Sequence, residues 1–258
     1  MRYKTVLSYN GAGFYGWQIQ VSDPSVQQSL EEALTVLLSE NVRVTGAGRT
    51  DTGVNACSFT AHFDAADGLD TASLCCKLNA ILPSGIRIHS IEAAAGDFHS
   101  RFDATAREYC YLLHRSKDPF MEGKSWLCGY PVLDMGEMNR AAAILKGTRD
   151  FACFAKNGSP VKTTVCTIYD AQWSHYTPDH VRLMGYPGRE EDYLIFRIRA
   201  DRFLRNMVRA IVGTLVEVGR GKRSAESMEE LLQSADRCRA GESVPGYALY
   251  LSSVKYDK

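Results

Sequence analysis

Residues 3–38 read YKTVLSYNGAGFYGWQIQVSDPSVQQSLEEALTVLL, and this stretch indicates how the fold begins. Residues 3–9 are rich in β-forming side chains and lead into a glycine-rich loop. Apolar side chains then recur at helical spacing over residues 26–38. Asp23 before Pro24 is a possible helix start, because a short acceptor can cap free amides and proline tolerates the first turn. The stretch therefore predicts a strand, a loop and an amphipathic helix in that order.

Similar patterns continue along the rest of the chain. Further strands are predicted at residues 42–44, 58–63, 86–91, 104–114, 163–173, 193–200 and 248–256, and further helices at residues 70–82, 134–146, 203–218 and 224–235. This order predicts an α+β fold of two related βαββαβ halves that form a central, mostly antiparallel sheet with a cleft. The halves are predicted to span residues 1–103 and 104–258. Asp134 and Glu137 form a possible capping box, and residues 177–192 are predicted to be a surface loop.

The overall composition is that of a globular protein, with 258 residues, of which 45% are hydrophobic and 23% charged. No stretch approaches about 18 consecutive apolar residues, and no signal-peptide pattern is recognisable. We therefore expect a cytoplasmic protein with no membrane association. The 30 basic and 30 acidic side chains cancel, which disfavours a protein that coats nucleic acid through bulk charge. Any binding of RNA must then depend on a local basic cluster.

The eight cysteines give no pattern typical of metal binding. Cys75 and Cys76 are adjacent and the other six lie far apart, whereas zinc sites usually need pairs of ligands at short spacing. We interpret the cysteines as reduced, buried thiols and predict no metal site.

The loop GAGRTDTGVNA at residues 46–56 is the densest candidate for chemistry. It holds one cation, Arg49, and one carboxylate, Asp51, among small residues whose backbone can approach a ligand closely. The alternative is a tight turn in which Asp51 only accepts backbone amides and Arg49 faces solvent. A phosphate-binding loop is disfavoured, because the glycine spacing is neither G-x-G-x-x-G nor G-x-x-x-x-G-K-[ST].

The loop at residues 46–56 is one of a series of distinctive sequence blocks that occur along nearly the whole chain. In chain order they are SYNGAGFYGWQIQ, SVQQSLEEAL, GAGRTDTGVNA, NAILPSGIRI, FHSRFDATAREYCY, DFACFAKNGSPVKTTVCTI, FLRNMVRAIVGTLVEVGRG and SVPGYALYL. By these blocks the chain resembles the TruA-type tRNA pseudouridine synthases. It departs from them at Thr52, Asn55 and Ala248, where that family usually has Ala, His and Gly.

The resemblance implies a pseudouridine synthase fold and an isomerase. Asp51 corresponds to the essential carboxylate of that family, which converts uridine to pseudouridine at positions 38–40 in the anticodon arm of tRNA after flipping the base. The resemblance also implies a homodimer and a reaction that needs no cofactor, metal or redox partner.

The resemblance places two residues of the second half beside the reacting groups. Arg209 would keep the Asp51 carboxylate ionised, with Arg205 one helical turn before it and Gly213 one turn after it. Tyr109 would stack on the extruded uracil. Without the resemblance, Arg209 is more often a solvated helical arginine and Tyr109 more often a packing residue.

The remaining assignments concern substrate binding. Leu249 would form an apolar wall of the pocket, although simple core burial is an alternative. Arg49 would fill the space that the flipped base leaves or hold the displaced phosphate, and Arg205 would contact the RNA backbone. A basic cleft could include Lys156, Lys162, Arg197, Arg199, Arg202 and Arg205, or these charges could be scattered over the surface.

Three other functions are compatible with parts of this pattern. A non-catalytic RNA-binding module would use Asp51 only to shape its loop. A zinc deaminase is disfavoured because the chain lacks H-x-E followed by P-C-x-x-C. An enzyme of small molecules would bind a free nucleotide at the glycine-rich loop without RNA.

Overall fold

The computed structural model describes residues 1–156, 158 and 161–257. Three residues of the block at 150–168, namely Asn157, Ser159 and Pro160, lie outside the described residues. The protein is a mixed α+β structure whose strands are mostly antiparallel. The chain forms two compact units, the first made of residues 1–107 and 250–258 and the second of residues 108–249.

The predicted strands and helices occur in the predicted order, and the structure adds two short strands and one short helix that the sequence did not predict. The strands are β1 (Arg2–Tyr9), β2 (Val44–Gly46), β3 (Asn55–Asp64), β4 (Ile86–Ala94), β5 (Ala104–His114), β6 (Trp126–Leu127), β7 (Gly147–Asp150), β8 (Val165–His175), β9 (Tyr193–Ala200) and β10 (Leu249–Tyr256). The helices are α1 (Val26–Leu38), α2 (Thr71–Ile81), α3 (Met135–Ile144), α4 (Asp179–Met184), α5 (Met207–Gly219) and α6 (Ser227–Ser234). Short 3-10 turns occupy Ala152–Phe154, Glu190–Asp192, Arg237–Arg239 and Gly246–Ala248.

The first unit contains a sheet in the order β4-β1-β3-β10, with β2 paired to β3. β1 lies antiparallel between β3 and β4, and its alternate residues are buried, as period-two patterning requires. β10 runs parallel to its neighbour β3, unlike the other strands of this sheet. Tyr250 and Leu251 pair with Asn55 and Ala56. The loop that carries Asp51 therefore leads into a strand that is paired on both edges.

The capping of the first two helices differs from the prediction in one case. α1 begins at Val26, and its N-cap is Ser25, whose hydroxyl accepts the backbone N–H of Gln28. The prediction that Asp23 starts this helix was wrong, because the serine two residues later supplies the capping oxygen. The prediction for α2 is confirmed, since the Asp70 carboxylate accepts the backbone N–H of Ser73 at 3.0 Å.

The second unit contains a sheet in the order β5-β9-β8-β7, with β6 paired to β5. Asp134 caps α3 through the backbone N–H of Glu137, but the capping box is incomplete because the Glu137 carboxylate binds Arg140 instead. Residues 177–192 are not only a loop: they include the helix α4.

Helix α5 is the most buried helix of the second unit. Apart from Arg209 and Glu217, every one of its residues is buried. The helix begins at Met207 and not at the predicted Phe203, because Asn206 adopts the left-handed conformation with φ of 66°. Arg205 therefore precedes the helix, and the prediction that it lies one helical turn before Arg209 was wrong.

Two general features concern the whole described chain. Among the described residues, no helix is both long enough and apolar enough to cross a membrane. All eight cysteines are free thiols. Cys57, Cys76 and Cys238 are exposed, so the prediction that the cysteines are buried was wrong for these three.

Glycines allow the backbone to pack closely against α5. A Cβ atom on Gly213 would lie 1.9 Å from the carbonyl oxygen of Glu242. The backbone of Glu242 therefore fills the space beside Gly213. Gly241 makes a similarly close contact, since its Cβ would lie 2.8 Å from the backbone nitrogen of Thr214.

We expect Gly213→Ala to destabilise the protein by about 1–3 kcal/mol, the typical cost of overpacking a core. Intrinsic helix propensity alone would favour Ala by about 1 kcal/mol. A net loss of stability in Gly213→Ala would therefore come from the clash with Glu242. Urea unfolding measures the change, and Gly129→Ala is the control, because a Cβ there meets no atom within 4 Å. Equal unfolding midpoints for Gly213→Ala and wild type would contradict the packing argument.

Candidate active site

Asp51 lies in the loop between β2 and β3 of the first unit. It is half-buried, between a buried Thr50 and an exposed Thr52. The loop backbone is held by hydrogen bonds from the N–H of Trp17 to the carbonyl of Thr50 at 3.4 Å, and from the N–H of Gly53 to the carbonyl of Phe14 at 3.3 Å. Asp51 is therefore presented by a loop that is fixed on both sides of it.

The glycines of residues 11–16 allow this close approach. Gly16 has φ of +90°, and a Cβ on it would lie 2.2 Å from the carbonyl oxygen of Thr50. A Cβ on Gly11 would lie 2.5 Å from the backbone of Gly53. Gly13 and Gly48 leave open space instead, since a Cβ on either has no atom within 4 Å. Gly11 and Gly16 therefore serve the contact between the two loops.

Two polar side chains complete the attachment of the Asp51 loop. The Tyr9 and Thr50 hydroxyls lie 3.0 Å apart in the interior. The buried Asn55 amide oxygen accepts the N–H of Gly11 at 2.8 Å. Asn55 is one of the departures from the family pattern, and the structure gives it a role: it satisfies a buried backbone donor.

Arg49 belongs to the same loop as Asp51. It is exposed, and its Nε donates to the side-chain oxygen of Gln18 at 3.2 Å. This bond orients the arginine along the glycine-rich segment that contains Gln18. Sequence reasoning missed Gln18 as a partner, because nothing in the residue pattern indicates which acceptor an exposed arginine will find.

The second unit contains the other four predicted site residues, Tyr109, Arg205, Arg209 and Leu249. Arg209 is half-buried, and its Nε donates to the carbonyl of Val244 at 2.6 Å. The backbone N–H of Val244 donates in return to the carbonyl of Arg209 at 3.3 Å. Arg209 is therefore not a fully solvated helical arginine, and one edge of its guanidinium is fixed by the backbone.

The aromatic residues of β5 occupy different environments. Tyr109 is half-buried, and its ring meets that of Phe203 edge to face at a centroid distance of 5.1 Å. Tyr111 is fully buried, and its hydroxyl donates to the carbonyl of Pro245 at 3.1 Å. Burial raises the pKa of Tyr111 far above its ordinary value, while Tyr247 raises it further and Arg209 opposes the rise. Tyr111 is thus a neutral structural residue beside the segment that holds Arg209.

Leu249 and Arg205 differ sharply in exposure. Leu249 is 5% exposed at the start of β10. Arg205 is exposed before the start of α5, and its backbone carbonyl accepts the N–H of Lys156 at 3.1 Å.

Part of the predicted basic cleft is mixed in charge. Arg197 and Arg199 of β9 line an open groove of about 350 Å³ together with the acidic residues Glu108 and Asp170. The Arg199 guanidinium lies 5.5 Å from the centre of the Tyr169 ring. Within the described part of the chain, no group of three or more His, Cys, Asp or Glu is arranged to hold a metal ion.

Comparison with known proteins gives matches over nearly the full chain. A family described as tRNA pseudouridine synthase matches residues 141–257. A tRNA pseudouridine synthase A of Bacteroides thetaiotaomicron is 46% identical over 99% of this chain and 90% of its own length. One of Parabacteroides distasonis is 45% identical over 99% of this chain and 96% of its own.

The similarity to one solved structure is weak by comparison. An archaeal box H/ACA sRNP Nop10-Cbf5 complex matches 83% of this chain and 44% of that chain at 10% identity, with a TM-score of 0.34. This TM-score supports no structural argument.

We expect Gly16→Ala to destabilise the protein more than Gly13→Ala. Both glycines have positive φ, so both substitutions incur the strain of a left-handed alanine, roughly 1–2 kcal/mol. Only at Gly16 does the new Cβ meet the Thr50 carbonyl, because a Cβ on Gly13 has no atom within 4 Å. Urea unfolding of the two variants measures the difference, and equal losses of stability would show that the contact with Thr50 does not matter.

Proposed function

Because the chain belongs to the tRNA pseudouridine synthase A family, whose members are isomerases that act on tRNA, we propose that it modifies uridines 38–40 of the anticodon arm and that Asp51 is its catalytic carboxylate. The observation that carries the proposal is the half-buried Asp51 carboxylate on a loop fixed by the glycine-rich segment. A carboxylate on a fixed loop can be held at the geometry that a reaction requires.

The proposed reaction rearranges the substrate without any outside reactant. The bond between uracil N1 and ribose C1′ breaks, the base turns while it stays bound, and C5 joins C1′. The proton on C5 is lost and N1 gains a proton, so atoms and charge balance. Asp51 can attack the base, attack the sugar or remove a sugar proton, and each role is within the chemistry of an ionised carboxylate.

Arg209 is the proposed partner of the Asp51 carboxylate. Its Nε is already bonded to the Val244 carbonyl, so the proposal assigns its terminal nitrogens to the carboxylate. A fixed guanidinium favours the ionised form of a nearby acid. It also stabilises charge on the reacting oxygen without having to reorganise during the reaction.

Three residues are proposed to receive the flipped nucleotide. Tyr109 stacks on the uracil, and Phe203 packs edge to face against Tyr109 and so steadies it. Leu249 provides an apolar wall. Stacking is worth roughly 1–3 kcal/mol per base, which offsets part of the few kcal/mol that base flipping costs.

Two arginines are proposed to bind the RNA around the flipped base. Arg49, exposed beside Asp51, fills the vacated space or holds the displaced phosphate. Arg205 contacts the RNA backbone, which agrees with its exposed position before α5. We further propose that the enzyme acts in the cytoplasm as a homodimer.

We expect Asp51→Asn to abolish pseudouridine formation while tRNA affinity stays close to that of wild type. The amide keeps the size of the side chain but is neither a nucleophile nor a base. Tritium release from tRNA labelled at uridine C5 measures the reaction, and filter binding measures affinity. Asp67→Asn, which changes an exposed carboxylate of the same unit, is the control and should react normally. Full activity of Asp51→Asn would refute the assignment and favour a role for Asp51 in loop shape alone.

We expect Arg209→Gln to lower kcat by at least about tenfold, which corresponds to about 1.4 kcal/mol of barrier height. Glutamine cannot supply the positive charge that the proposal places beside Asp51. Arg182→Gln in α4, which removes an exposed arginine of the same unit, should leave kcat unchanged. Single-turnover rates with saturating enzyme separate the change in kcat from any change in tRNA binding. An unchanged rate for Arg209→Gln would show that Arg209 is not part of the catalytic group.

A further inference from the structure

One large aromatic side chain of the first unit is left in solvent beside basic and aromatic neighbours. Phe102 is 74% exposed. It lies in residues 97–103, between β4 and β5, which we call the Phe102 turn. Its ring centre lies 4.2 Å from that of His99 and 5.7 Å from the guanidinium of the exposed Arg101. A single exposed apolar residue needs no explanation, so its surroundings decide whether it has a function.

The Phe102 turn is held in one conformation by its own hydrogen bonds. The backbone N–H and carbonyl of His99 both bond to Asp103, each at 3.0 Å. The Nδ1 of His99 faces the backbone N–H groups of Arg101 and Phe102, at 3.2 Å and 3.3 Å. The exposed ring is therefore presented by an ordered turn, and a ligand that binds it incurs little cost for ordering the loop.

The same turn is attached to the sheet beside the Asp51 loop. The Ser100 hydroxyl donates to the carbonyl of Thr45 in β2 at 2.7 Å, and the Ser100 N–H donates to Nδ1 of His62 at 3.1 Å. Burial lowers the pKa of His62 to about 4, and the charges of Arg2 and His99 act in the same direction. His62 is thus neutral at physiological pH and its Nδ1 remains an acceptor.

A second attachment joins the turn to the first residues of the Asp51 loop. Nη2 of Arg107 donates both to the carbonyl of Arg101 at 2.6 Å and to the carbonyl of Ala47 at 3.2 Å. One nitrogen therefore connects the backbone of the Phe102 turn to a residue only four positions before Asp51. Four residues of extended chain span at most about 14 Å, so the Phe102 turn is attached at a point within about 14 Å of the Asp51 backbone.

These features match the chemistry of single-stranded RNA. Exposed aromatic rings stack on bases regardless of their identity, and arginine beside them pairs with phosphate. We propose that Phe102 stacks on a base of the tRNA other than the isomerised uridine, and that Arg101 pairs with a phosphate of the same strand. This inference rests on the proposed function, since it assumes that tRNA reaches the Asp51 loop.

The test compares tRNA affinity among Phe102 variants in the Asp51→Asn background, by filter binding with unmodified tRNA. Phe102→Ala and Phe102→Leu should each weaken binding by about 5- to 150-fold, the range that the loss of one stacked base predicts. Phe102→Trp should retain affinity, because it keeps an aromatic face. Val36→Ala, which trims a 71% exposed apolar residue on α1 of the same unit, is the control and should bind as the parent does.

Arg101 is tested separately by the salt dependence of binding. Arg101→Gln should reduce the slope of log affinity against log salt concentration by about one, as the loss of one phosphate contact predicts. An unchanged slope would overturn the assignment of Arg101.

The competing explanation is that a second copy of the chain covers Phe102. In that case Phe102→Ala would change the oligomeric state measured by light scattering and leave the affinity of the protein for tRNA intact, and the proposal would be wrong. Because binding is measured in a variant that lacks the proposed catalytic group, failure of the stacking proposal and failure of Asp51 chemistry give different results. If the stacking proposal fails, tRNA affinity does not depend on Phe102. If the assignment of Asp51 fails, Asp51→Asn remains active.

Discussion

Contact between two glycine-rich loops is the constraint on which the Asp51 site depends. The carbonyl of Thr50 receives the N–H of Trp17 and lies where a Cβ on Gly16 would be, so no larger residue fits at Gly16 without displacing the backbone beside Asp51. The buried Asn55 amide adds a further bond to the same segment. Backbone contacts of this kind fix the position of the loop, as the proposed catalytic role of Asp51 requires.

The second unit uses the same physical principle for a cation. Helix α5 is buried along its length, and the backbone around Glu242 packs directly on Gly213. This approach brings the carbonyl of Val244 to the Nε of Arg209, and Tyr111 holds the next residue, Pro245, through its hydroxyl. In both units, small residues allow backbone to come close, and in the second unit a backbone carbonyl then orients the charged group.

The residue pattern predicted most elements but not where several of them begin. The predicted bounds of β5 and β9 are confirmed. The start of α5 was placed too early, since Asn206 takes a left-handed conformation that no apolar periodicity reveals. For the site, the chain supplied Asp51 and Arg209 as candidates, whereas Val244 and Gln18 were missed because the positions of their acceptor oxygens follow from packing.

The sequence by itself determined the order of most strands and helices, the family and the charged residues available for chemistry, since these depend on residue type, spacing and blocks of similarity. Only the tertiary structure decided which backbone groups hold those residues and which side chains stay in solvent. Every residue carries the same carbonyl and, proline apart, the same N–H, so the letters of the chain cannot tell which carbonyl will receive the Nε of Arg209. Likewise Phe102 is indistinguishable in sequence from a core phenylalanine, and only the folded turn leaves its ring exposed.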